Sequence, residues 1–286
     1  MNILSLLYLL GSQLSVVFPS QYVNMDMDTD ADISVDTNLI QTSVEIAQLS
    51  YCPYIDYDYI DNTFSDNTIV SNIEQNGVRV IVGFNAKYNS IFVSYRGSTN
   101  IINWINNVRI RITYPFDFNL DAGVETGFYN SYRNVYDEVI ENIHYTSEMF
   151  GVYDVLLTGH SLGSISTILT VDLTQYYKQY NIIGLVTFGS PRIGNDAFVE
   201  LINSLPIGSH YRVVHNDDVV PHLPPFKLGY NHVETEIWYN LDNSQYTICL
   251  DPTKCYSSCG NNTCLNTDDH MNYLNVSMGS YGDCYD

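Results

Sequence analysis

Two hydrophobic periods take turns along this chain, one near 3.6 residues and one near two, and their order sets the expected fold. Leu39, Ile40, Val44, Ile46 and Ala47 form a helix-like stripe, with Asp36 or Thr37 as its N-cap. Val78 to Phe84 and Ser90 to Tyr95 are apolar runs separated by Asn85-Ala86-Lys87-Tyr88-Asn89, which reads as a hairpin. Helical spacing returns with Tyr132, Val135, Tyr136, Val139, Ile140 and Ile143. A strand is expected at 152–157, a helix at 162–180 and a strand at 182–188, then a short helix within 191–205 and strands at 211–215 and 233–239. Strands alternating with helices predict an α/β fold: a mostly parallel central sheet, helices on both faces, and active groups at the C-terminal ends of strands.

At 286 residues the chain suffices for one sizeable domain, expected over 37–286, with 21–36 read as an acidic, irregular segment. Residues 1–20 carry no charged side chain, and Ile3 to Leu10 is an apolar run of signal-peptide length. Gly11, Ser12 and Gln13 interrupt it too early for a membrane span. These residues predict a secreted protein, cleaved near Ser15 to Gln21. Six cysteines agree with an oxidising compartment. Cys249, Cys255, Cys259 and Cys264 crowd together without a C-x-x-C pair, which favours disulfides over a metal and leaves three connectivities open. Asn261 and Asn275 head glycosylation sequons. The formal charge of -21, from 11 Lys plus Arg and 32 Asp plus Glu, excludes nucleic acid and disfavours anionic membrane surfaces.

Candidate chemistry begins at Gly159-His160-Ser161-Leu162-Gly163, a G-x-S-x-G sequence placed between an expected strand and an expected helix. A strand-turn-helix elbow is so sharp that the serine's neighbours must be small, and it leaves the hydroxyl exposed to a base. Ser161 is the candidate nucleophile. In a parallel sheet its partners are expected downstream, acid first and histidine second. Asp217 and Asp218 lie just past the 211–215 strand, and either could orient an imidazole. Among the later histidines, His222 follows Asp218 too closely to come from an independent loop. His270 lies on a polar loop before an apolar segment and fits the order.

Val93-Ser94-Tyr95-Arg96-Gly97-Ser98, the G-x-S-x-G pentapeptide, Thr187-Phe188-Gly189-Ser190-Pro191-Arg192-Ile193-Gly194-Asn195, Asn216-Asp217-Asp218-Val219-Val220-Pro221-His222-Leu223-Pro224-Pro225 and Asp269-His270-Met271 together resemble class 3 lipases of the filamentous-fungal type, an α/β-hydrolase family, over nearly all of 37–286. The resemblance implies Asp218 as the acid and His270 as the base, leaves His222 and His232 as structural positions, and supports pairing Cys52 with Cys284. It implies two oxyanion donors, the backbone N–H of Leu162 and Ser98.

Between Ser98 and Arg109, Ile101, Ile102, Trp104 and Ile105 are read as one side of a short helix, with asparagines on the other. By resemblance this is a lid, and its apolar character points to long-chain acylglycerols. The expected protein is a secreted, monomeric, cofactor-free triacylglycerol lipase without metal or permanent membrane span, acting on lipid esters at an oil–water interface. Phospholipase A1, a feruloyl-esterase-like carboxylesterase and a non-catalytic binding protein on the same scaffold are the alternatives.

Overall fold

The computed structural model describes residues 34–52, 63–64, 66–98, 100–107, 110–233, 235–250 and 266–279. The expected export signal at 1–20 and most of the acidic segment at 21–36 lie outside them. Helix α1 (Thr37–Leu49) is followed by strands β1 (Thr63–Phe64), β2 (Asn67–Gln75), β3 (Val78–Asn85) and β4 (Ser90–Tyr95). Helix α2 (Ile101–Asn107) and the ribbon β5 (Ile112–Thr113) and β6 (Val124–Glu125) lead into the long helix α3 (Thr126–Phe150). Strand β7 (Asp154–His160), helix α4 (Ser166–Tyr176), strand β8 (Asn181–Phe188), helix α5 (Asp196–Asn203) and strands β9 (Ser209–His215), β10 (Glu236–Tyr239) and β11 (Tyr246–Cys249) follow. The ribbon β12 (Asn272–Tyr273) and β13 (Val276–Ser277) ends the described chain.

Among the described residues the main sheet runs β1-β2-β3-β4-β7-β8-β9-β10-β11. Pairing is parallel from β4 to β10 and antiparallel at both flanks, so the central strands carry the parallel register expected from the alternation of elements. Side chains of one strand alternate between two cores. Val155 and Leu157 point into the core shared with α3, α4 and α5, and Leu156 points into the core shared with α1. This two-sided burial fixes the register of β7, because a slip of one residue would exchange the two sets.

Local chemistry sets the element ends. Asp36 caps α1 by accepting the Leu39 N–H at 2.9 Å, and Asn195 caps α5 by accepting that of Phe198 at 3.0 Å. The helix expected over 162–180 differs in form. Its first turn, Ser161–Ile165, is a 3-10 helix, and α4 ends at Tyr176. Tyr180, which extends the apolar spacing, is instead turned onto α3, its hydroxyl 2.6 Å from His144 Nδ1. Strand β10 starts at Glu236, three residues later than the apolar run from Val233.

Glu125 gives the fold a measurable pH dependence. Its carboxylate caps α3 by accepting the Phe128 N–H at 2.8 Å, yet the side chain is buried. Burial outweighs the hydrogen bonds from backbone N–H groups and pushes its pKa up to about 7. A raised folded-state pKa means that the native protein holds this proton longer than the unfolded chain, so stability falls as pH rises from the ordinary glutamate range through about 7. The shift corresponds to at most about 3 kcal/mol. Glu125→Gln keeps an acceptor for Phe128 and is expected to flatten the curve of denaturant stability between pH 5 and 8. An unchanged slope would contradict the assignment.

Candidate active site

Strand β7 stops at His160, and Ser161 enters the following turn with a left-handed φ of 58°. A non-glycine residue held there is strained by about 1–2 kcal/mol, and the surrounding packing must maintain it. The two glycines of the motif supply the room. A Cβ on Gly159 would overlap the carbonyl of Gly163, and one on Gly163 would overlap the carbonyl of Tyr95. The elbow geometry inferred from G-x-S-x-G is therefore enforced by backbone-to-backbone packing between β7, the 3-10 turn and the end of β4.

The same approach brings Gly97, the residue before Ser98, beside the serine. A Cβ on Gly97 would stand 2.8 Å from Ser161 Cβ. Leu162 occupies the second position of the 3-10 helix, where backbone N–H groups lack partners within the helix. Ser98 and Leu162 are both partly exposed.

Asp218 lies beyond the end of β9 and is completely buried. Its Oδ2 is 2.8 Å and its Oδ1 3.0 Å from His270 Nδ1, while Oδ1 also accepts the Val220 N–H at 2.8 Å. The Tyr273 hydroxyl donates to Oδ2. Burial alone would raise the carboxyl pKa, but the adjacent His270 and these hydrogen bonds outweigh it and hold it below the usual range. Asp218 is therefore an anion. Since a carboxylate only accepts, His270 Nδ1 carries the hydrogen, and in the neutral imidazole that leaves the lone pair on Nε2.

Among the described residues, neither Ser161 Oγ nor His270 Nε2 has a hydrogen-bond partner, although both are buried. Buried polar atoms are nearly always paired, so an unpaired hydroxyl on the candidate nucleophile and an unpaired ring nitrogen on the candidate base call for a chemical explanation. The His270 ring lies 4.5 Å, centroid to centroid, from that of His160, the residue immediately before the serine, with the two planes tilted by 35°. Asp217, the other acid candidate, contributes its backbone N–H to Asp269 at 3.1 Å.

Helix α2 packs beside the loop that carries Asp218. Asn100 Oδ1 accepts the Asn103 N–H at 3.0 Å to start the helix. Ile105 is buried against Val219, Val220 and Leu223, the residues just after Asp218, with Ile101 and Ile110 packed alongside. Ile102 departs from the expectation that it shares this face, being 57 % exposed. At 100° per residue it lies well off the direction of Ile101 and Ile105. The Trp104 side chain lies outside the described residues.

Residues 92–228 match the family model for lipase (class 3). The secreted mono- and diacylglycerol lipase 1 of Fusarium solani is 34 % identical over 164 residues, covering 57 % of this chain and 48 % of that protein. A lipase of Rhizomucor miehei is 32 % identical over 199 residues, covering 66 % of this chain and 53 % of its own length. The structure of the Rhizomucor miehei lipase in complex with its propeptide superposes with a TM-score of 0.73 at 28 % identity, over 85 % of this chain and 82 % of the other. Over residues 92–228, just under half of its length, the chain is similar to the class 3 lipases. It spans about half the length of the curated relatives it matches.

The chain carries supports for this candidate site that no motif announced. His160, the residue before the serine, is one of them. Its Nε2 lies 2.7 Å from the His270 carbonyl oxygen and its Nδ1 2.6 Å from the Tyr51 hydroxyl. Burial, reinforced by the neighbouring His270, drops its pKa to about 3, so it is neutral and has one N–H. A carbonyl can only accept, which places that hydrogen on Nε2 and makes Tyr51 the donor to Nδ1. His232 likewise contacts a carbonyl, that of Pro221, at 2.6 Å.

The remaining site expectations fall near or beyond the edges of the described chain. Cys52 and Cys249 are disulfide-bonded, whereas Cys255, Cys259, Cys264 and Cys284 lie outside the described residues, as does Asn261. Asn275 is exposed in the tight turn between β12 and β13, where Leu274 and Asn275 both have positive φ. Among the described residues no cluster of His, Cys, Asp or Glu could hold a metal ion, and no helix is long and apolar enough to cross a membrane.

Proposed function

We propose that this chain is a secreted serine hydrolase that cleaves carboxylic esters of lipids, with triacylglycerol as its preferred substrate. The observation that carries this reading is the buried pair of unbonded atoms, Ser161 Oγ and His270 Nε2, with Asp218 on the opposite nitrogen of the imidazole. Ser161 attacks the ester carbonyl as His270 takes its proton. The tetrahedral oxyanion is held by the N–H of Leu162 and by Ser98, and His270 then protonates the departing alcohol. Water repeats the sequence on the acyl-enzyme. Asp218 keeps the imidazole in one tautomer and stabilises the imidazolium.

Substrate class follows from the cover. Helix α2 rests Ile101 and Ile105 on Val219, Val220 and Leu223, so its displacement bares aliphatic surface on both sides of the opening. Such surface accepts an acyl chain and favours contact with an oil phase. The charge of -21 weighs against anionic phospholipid. Export is supported by the apolar run at Ile3 to Leu10, the even number of cysteines and the secreted Fusarium relative. A Cys52–Cys284 bridge, glycans on Asn261 and Asn275, and a monomeric state complete the proposal.

The test is a panel of triglyceride, phosphatidylcholine and a feruloyl ester. Triglyceride hydrolysis is expected to rise sharply as the substrate passes from dissolved to emulsified. Saturation on soluble short esters with no response to emulsion would assign a carboxylesterase, and faster release of lysophospholipid would assign phospholipase A1.

A further inference from the structure

Asp269 sits next to the candidate base, yet its carboxylate is turned away from the imidazole and into the loop that carries the candidate acid. Its Oδ2 accepts the Asn216 side-chain N–H at 2.7 Å and the Asp217 backbone N–H at 3.1 Å. The two loops therefore exchange aspartates: Asp218 reaches across to His270, and Asp269 reaches back to Asn216 and Asp217. We infer that Asp269 is a positioning residue that locks the acid loop and the base loop in register. This inference rests on the proposed triad.

Three observations give the clasp its weight. Asn216 has a left-handed φ of 39°, and this bend carries the chain from the end of β9 toward Asp218. Such a bend is held by surrounding contacts. Asp269 holds its amide, and Trp238 Nε1 donates to its carbonyl at 3.0 Å. The backbone that carries Asp269 is itself held, since Asn266 Oδ1 accepts the backbone N–H groups of Asp268 and Asp269 at 2.8 and 3.2 Å. Asn266 in turn bonds both ways with the acid loop, donating to the Asp217 carbonyl at 3.2 Å and accepting the Val219 N–H at 3.3 Å. Finally, the Asp269 carbonyl lies 3.0 Å from His215 Nδ1, which ties the base loop to the last residue of β9. Asp269 is buried, so water does not compete for these bonds.

The clasp makes an asymmetric prediction for substitutions. Asp269→Asn keeps a carbonyl oxygen for both donors and is expected to retain kcat within about threefold, whereas Asp269→Ala removes the acceptor and lowers kcat by roughly tenfold to a hundredfold with KM little changed. Asn216→Asp, which sets two carboxylates against each other but tolerates the left-handed bend, is expected to lose a similar factor. The double exchange, Asn216→Asp with Asp269→Asn, restores a donor opposite an acceptor at unchanged net charge. It is expected to recover kcat to within about threefold of the parent.

The experiment measures kcat and KM on dissolved p-nitrophenyl butyrate for the four variants, together with the downfield proton resonance of the imidazole N–H bonded to Asp218. That resonance is expected to be lost in Asp269→Ala and Asn216→Asp and to return in the double exchange. The clasp is overturned if the exchange is no better than Asn216→Asp alone, or if Asp269→Ala keeps both kcat and the resonance. Where Asp269→Ala fails to fold, the exchange decides. The resonance needs no turnover. If it follows the predicted pattern while Ser161→Ala still hydrolyses ester, the hydrolase reading falls and the clasp stands.

Discussion

Ser161→Ala is expected to lower kcat on emulsified triglyceride by roughly six orders of magnitude, the scale on which loss of a triad serine removes the covalent route. KM should change little, because Oγ contributes to the reaction and not to holding the acyl chain. The fold should survive. Ser161 Oγ has no partner among the described residues, so its removal breaks no hydrogen bond and relieves a buried polar atom of its desolvation. The left-handed φ of 58° is as strained for alanine as for serine and cancels in the comparison. Activity and thermal stability therefore separate: the melting temperature is unchanged or raised while hydrolysis disappears. A variant retaining a percent of the parent rate would mean that another group attacks the ester.

Asp218→Asn is expected to lower kcat by about four orders of magnitude through a different route. An amide in place of the carboxylate can present an N–H to His270 Nδ1, which drives the imidazole hydrogen to Nε2 and leaves no lone pair facing Ser161. Stability should change as well, with a defined pH dependence. The Asp218 pKa is depressed in the folded state, so its contribution is present above the ordinary carboxylate range and is lost as pH falls through the folded value. The variant should thus be less stable than the parent at pH 7, and the difference should shrink in acid. A deficit that grows toward low pH would reverse the sign and contradict an ionised Asp218.

The parts of this site that were legible in the sequence share one property: local chain geometry demands particular residues. Gly159 and Gly163 cannot carry a Cβ at the elbow, so the motif reports its own backbone. The order of Ser161, Asp218 and His270 reports the direction of the parallel strands, and α/β alternation was enough to supply it. Between Asp217 and Asp218, however, periodicity gave no choice, and the family resemblance was needed. The supports of the proposed triad were silent for the opposite reason. Tyr51 is separated from His160 by 109 positions, and Tyr273 from Asp218 by 55, so no spacing rule links them. Strand β2 also went unread, because Ser71 and Asn72 break the apolar alternation that the hairpin from Val78 to Tyr95 displays. Ile102 was placed on the inner face of α2 because a cluster of isoleucines reads as one stripe, although its angular position turns it to solvent.

Whether Ser161 is the nucleophile can be read from covalent labelling. The folded, disulfide-intact protein would be treated with a serine-directed phosphonate and digested, and the adduct located by peptide mass spectrometry. One adduct on the peptide carrying Gly159 to Gly163, absent in His270→Ala, is the expected result. Ester hydrolysis that continues with Ser161 unmodified, or an adduct on a different serine, would contradict it.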